Sequence, residues 1–113
     1  MKIRIWLDDV RSIPTHPTYT AIGFTHICKN YEEAISLLET GDVVYLDFDH
    51  DLGEGLSGYD VACWIEKAAF EKRIQKLEWS VHSQNPTGAR NIVRAMQKAE
   101  KYWESVDFDQ KEW

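Results

Sequence analysis

Three short apolar runs in this chain each stop at acids or at a histidine, and this repetition constrains the fold more than any other feature. Residues 3–7 (IRIWL) run into Asp8 and Asp9, and residues 43–46 (VVYL) run into Asp47, Asp49 and Asp51. Residues 77–81 (LEWSV) run into His82 and Ser83. Runs of this length and composition read as strands. Strands that all meet polar groups at the same end predict one shared rim. In an open parallel sheet the ligand site lies outside the carboxyl ends of the strands, where the strand order reverses. Carboxylates converging there suit a hard divalent cation and an oxyanion such as phosphate.

The segments between these runs support an α/β fold. Residues 10–23 hold Pro14, Pro17 and several threonines without a helical period, so a loop is expected where an α/β unit places its first helix. Residues 24–29 read as a second short strand. Asn30 is a good N-cap, Glu32 and Glu33 favour the first turn, and Ala34, Ile35, Leu37 and Leu38 give an apolar face that Gly41 ends. The third strand is 43–48, followed by a glycine-rich loop over 51–58. Apolar residues from Tyr59 to Ala69 predict a helix to about Lys72. After the fourth strand at 77–82, Asn85-Pro86 opens a last helix to about Glu104. Residues 105–113 are either a short fifth strand through Val106 and Phe108 or a mobile tail. Alternating strands and helices predict a mostly parallel sheet with right-handed crossovers, order 2-1-3-4, with strands 1 and 3 at the switch point.

One domain spanning 1–113 accounts for the length. No apolar run approaches the roughly 18 residues that cross a bilayer, and the chain starts in a strand and not in a targeting segment, so a cytoplasmic location without membrane contact is expected. The net charge of −6 opposes a broad nucleic-acid surface, although the acids concentrated at the rim leave room for a nucleic-acid end as substrate. Cys28 and Cys63 sit in apolar segments and read as reduced core residues. Trp6, Tyr59 and Trp64 also read as core. A four-stranded sheet leaves an edge short of cover, so the tail with Phe108 and Trp113 is expected to cover it or to join a homodimer.

With these residues placed, the chain resembles the receiver domain, the flavodoxin-like phosphoacceptor module of two-component signalling. The matching features are the acidic pair after strand 1, an Asp after strand 3, Gly58 opening the next helix, and Ser83 after strand 4. It more closely resembles the cyclic-phosphate processing receiver domains. The segments are LDDVR at 7–11, DFDHDLG at 47–53, GYDVACWI at 58–65 and HSQNPTG at 82–88. The resemblance implies a metal-dependent phosphodiesterase that hydrolyses cyclic phosphates of nucleotides or RNA ends. It points to Asp8, Asp9, Arg11, Asp49, His50, Asp51, His82, Ser83 and Asn85. Two departures from an ordinary receiver are the loop in place of the first helix and the missing phosphate-binding lysine, since Lys111 lies in the tail.

On this basis Asp8, Asp9, Asp49 and Asp51 are the expected ligands of Mg²⁺ or Mn²⁺, which prefer oxygen donors. Asp47 stands between a ligand and a structural role. Asp49, His82 and Arg11 are the expected catalytic set, with His82 as general acid or base and Arg11 paired to phosphate or to an acid. His50, Ser83 and Asn85 are expected to contact the substrate, while Asn85 is equally suited to cap the helix that follows. The rival readings are a non-enzymatic phosphoacceptor or phosphate-binding regulatory module, and a structural interaction protein using the sheet edge.

Overall fold

A computed structural model describes residues 1–110, with side chains described through residue 105. The elements follow as β1 (Ile3–Leu7), α1 (Pro17–Ile22), β2 (His26–Cys28), α2 (Tyr31–Leu38), β3 (Val43–Phe48), α3 (Gly58–Phe70), β4 (Glu78–Val81) and α4 (Pro86–Gln110). The sheet is parallel throughout, in the order β2-β1-β3-β4.

Alternation along the strands sorts the side chains onto two unlike faces. Ile3, Ile5, Leu7, Leu46 and Phe48 point to one side, where they join Val61, Ile65, Ile92 and Met96 of α3 and α4 in a single core. Among the described residues the other side has no long helix. It carries Trp6, Tyr45, Asp47 and Ser80, with Tyr45 donating to Ser80 Oγ at 2.7 Å. An aromatic group from the 8–25 segment covers part of it, with Tyr19 and Phe24 edge-on to Trp6 at 5.7 and 5.6 Å.

A register irregularity decides which acids reach this open face. Ile3 pairs with Val43, but Arg4 pairs with Tyr45, so Val44 is the extra residue of a bulge. Because a one-residue shift exchanges the two faces, the bulge turns Asp47 away from the core and puts it in line with Trp6 and Ser80.

Two expectations need correction. The 10–23 segment is not all loop: Pro17 at the first helical position, the His16 side chain accepting from Thr18 N–H, and Gly23 in a left-handed cap make α1. With six residues and none buried, α1 contributes nothing to the main core. There is no fifth strand among the described residues, because α4 continues to Gln110 through the segment expected to form it. The proposed edge cover by Phe108 and Trp113 falls outside the described side chains. No helix of the described residues is long and apolar enough to cross a membrane.

Candidate functional site

Asp8, Asp49 and His82 are each the first residue after a strand. Their backbone N–H groups extend the ladders by one rung, donating to Cys28, Leu7 and Phe48 carbonyls at 3.0, 2.9 and 2.9 Å. The three therefore lie in one row across β1, β3 and β4, at the switch point. One donor atom from each lies within 4.8 Å of the other two. Asp8 is 1% exposed and Asp49 6%. Desolvation of this depth makes unneutralised carboxylates costly, so the cations around them matter.

His82 is the central cation. Its Nδ1 lies 2.6 Å from Asp47 Oδ1 and its Nε2 lies 2.9 Å from Asp8 Oδ2. Its ring is stacked on the Trp6 indole, with centroids 3.9 Å apart and planes 6° from parallel. Burial alone lowers the His82 pKa, but the two carboxylate hydrogen bonds outweigh it and raise the value above the ordinary one. Both nitrogens face carboxylate oxygens, an arrangement that the imidazolium satisfies with a proton on each nitrogen.

Asp8 organises the loop that follows β1. Its Oδ1 accepts from the N–H groups of Val10 and Arg11 at 2.8 and 2.7 Å, and Trp6 Nε1 closes the loop on the Arg11 carbonyl at 2.9 Å. Burial pushes the Asp8 carboxyl up; these backbone donors, His82 and the Arg11 charge overcome that and hold it below the usual value. The loop turns the Arg11 guanidinium back into the rim, with Nε 3.2 Å from Asp8 Oδ2 and Nη2 3.6 Å from Asp49 Oδ1. Arg11 is 41% exposed at its side chain, so these contacts face solvent and exchange readily. Asp49 is the least committed of the buried acids, since the 3.6 Å approach of Arg11 is its one ion pair among the described residues.

The other expected residues surround this cluster without joining it. Asp9 extends toward the next loop, where a Cβ on Gly53 would lie 3.2 Å from its Oδ2. The Asp51 side chain is 69% exposed and pairs with His50 Nδ1 at 2.9 Å. Neither belongs to the group that has its donor atoms together. The His50 ring rests on Gly88, where a Cβ would overlap it, so His50 ties the β3–α3 loop to the start of α4. Ser83 Oγ accepts from Asn85 N–H at 3.1 Å, and Asn85 Oδ1 accepts from Gly88 N–H at 3.0 Å. Asn85 thus makes the capping contact.

Two residues of the site were not assigned from sequence. Asp47 holds His82, and Trp6 stacks on it. The signal for Asp47 was its i, i+2 relation to Asp49, which puts both on one face. Trp6 bears the same relation to Asp8, although its contact is with a residue 76 positions away.

Gly58 fixes the geometry behind Asp49. It opens α3 in a capping box with Ser57 and Asp60, and its N–H donates to the His50 carbonyl at 2.8 Å. A Cβ here would overlap the Asp49 carbonyl oxygen, which is backbone and has nowhere to move. Gly58→Ala should cost about 1–3 kcal/mol or more, the range for forced overpacking. At about 4 °C per kcal/mol for a domain of this size, melting should fall by about 4–12 °C. An unchanged melting temperature would show that the turn has slack.

The donor set fits a hard divalent cation. Asp8 and Asp49 offer oxygens at the rim, which Mg²⁺ and Mn²⁺ both accept, while His82, with both nitrogens turned to Asp47 and Asp8, stands beside them as a charge and a proton source and not as a ligand.

A family model described as cyclic-phosphate processing receiver domain matches residues 3–98, which include every residue named in this site. Neither a curated protein nor a solved structure matches the chain.

Proposed function

The chain belongs to the cyclic-phosphate processing receiver domain family, and from that premise we propose that it is a metal-dependent phosphodiesterase that opens cyclic phosphates of nucleotides or RNA ends. The observation that carries this reading is the row of Asp8, Asp49 and His82 with donor atoms within 4.8 Å of one another, bordered by Arg11. In this reading Asp49 and Asp8 hold Mg²⁺ or Mn²⁺. When bound, the cation lowers the pKa of its water and polarises the phosphoryl oxygens.

The side chains divide the remaining work. Arg11 has solvent-facing contacts to the acids and a planar fork suited to phosphate, and in this reading it turns from the carboxylates onto the substrate. Water gives up a proton to solvent as it adds to phosphorus, the ring P–O bond breaks, and the leaving alkoxide takes a proton. His82 carries that proton on Nε2, while Asp47 holds the ring through Nδ1 and Trp6 fixes its plane. His50 and Ser83 flank the start of α4, whose first N–H groups favour an anion.

The alternative, a non-enzymatic phosphoacceptor, uses Asp49 and leaves the buried Asp47–His82–Asp8 chain without a chemical task. Incubation with 2′,3′- and 3′,5′-cyclic nucleotides and millimolar Mg²⁺ or Mn²⁺ separates the two. Ring opening that is lost in a folded Asp49→Asn variant is the expected result. No turnover of any cyclic phosphate, together with label on Asp49 after treatment with a small phosphodonor, would give the site to the acceptor.

A further inference from the structure

The charge of this chain is strongly segregated. The net charge is −6, yet residues 67–101 carry eight Lys and Arg against three acids. Half of those cations lie on α4. Arg90, Arg94, Lys98 and Lys101 are all exposed. At 100° per residue they fall within an arc of about 80°, opposite the buried stripe of Ile92, Ala95, Met96 and Ala99. They extend along about 16 Å of helix, roughly one cation per turn. None of the four forms an ion pair among the described residues, and the nearby Glu100 is held by Trp79 Nε1 at 3.0 Å.

The helix that carries this stripe begins beside the site. α4 starts four residues after His82, and its first turn carries the contact with His50. We propose that the outer face of α4 is a track for the phosphates of a single RNA strand whose 3′ end enters the acidic rim. The class follows from chemistry: a terminal 2′,3′-cyclic phosphate requires a 2′-hydroxyl and so marks an RNA end. A linear row of cations leading away from a phosphate site then meets the phosphates upstream of that end. The track is one helix wide, which agrees with the net charge of −6. A membrane fits less well, because surface-bound helices flank their cations with apolar residues. Among the described residues, none of the large exposed apolar side chains belongs to α4.

The position of the strand's end rests on the proposed cyclic-phosphate activity; the track itself does not. The test uses a fluorescent 12-nucleotide RNA ending in 2′,3′-cyclic phosphate, measured by anisotropy in EDTA so that no turnover intervenes. Four phosphate contacts predict a slope of about −3 for log affinity against log salt, or about 50-fold weaker binding between 50 and 200 mM. Replacing Arg90, Arg94, Lys98 and Lys101 together by Gln should flatten that slope without changing the melting temperature. The same variant should hydrolyse a 2′,3′-cyclic mononucleotide at the wild-type rate and lose its preference for the oligonucleotide. Stripe-dependent RNA binding without hydrolysis of any cyclic phosphate would keep the track and discard the activity. Hydrolysis with RNA binding that ignores the four substitutions would overturn the track. Binding to phosphatidylserine vesicles in place of RNA would overturn it as well.

Discussion

His82→Ala is expected to lower stability near pH 6 by about 3–5 kcal/mol, the range for removing one partner from a buried ion pair. At about 4 °C per kcal/mol this is about 12–20 °C in melting temperature. The reason is the position of the ring: Asp8 and Asp47 are 1% and 2% exposed, and His82 is the cation hydrogen-bonded to both. Truncation leaves two buried carboxylates and an unsupported Trp6 face. The pH dependence follows from the two shifts. The raised His82 value means that its contribution is fully present below the unfolded histidine value of about 6.5, and is lost as pH rises through the higher folded one. The lowered Asp8 value means that its contribution is present above about 3.9 and lost as pH falls through the folded one. The gap between wild type and variant should therefore peak in the mildly acidic range and narrow at alkaline pH. Thermal melts from pH 4 to 9 measure it. A gap that is small and independent of pH would mean that the imidazole is neutral and the carboxylates find other donors. Under conditions where the variant stays folded, loss of the general acid should lower turnover about 10²–10⁴-fold.

Millimolar Mg²⁺ or Mn²⁺ should raise the wild-type melting temperature by about 10 °C. Linkage gives about 2.7 kcal/mol at a concentration near 100 times Kd, at about 4 °C per kcal/mol. Asp49→Asn should remove most of that rise, because Asp49 is the buried acid least engaged by other side chains. Its metal-free form should melt close to wild type: the exposed Arg11 contact at 3.6 Å contributes little, and its loss is offset by relief of repulsion from Asp8. His82→Ala should respond more strongly than wild type, since the divalent cation supplies the positive charge that the imidazolium provided. A flat response in all three proteins would remove the metal site.

The layout of the molecule is legible in its residues. Apolar runs of strand length ending in Asp8, Asp49 and His82, separated by helical periods, required a parallel sheet with its site at one rim. The order β2-β1-β3-β4 follows from short right-handed crossovers. Gly58 and Asn85 were legible as helix starts because capping chemistry is local. Tertiary structure decided what the acids do. Asp9 and Asp51 are neighbours of Asp8 and Asp49 in sequence, but strand alternation and the turn after β3 carry them out of the cluster. The bulge at Val44 turned Asp47 onto the open face, where it meets a histidine 35 residues away. A bulge depends on the register between two strands, and no local composition specifies it. The tail followed the same rule. Residues 105–110 continue α4 in a segment short enough to suit a strand, because a helix already nucleated extends at little cost.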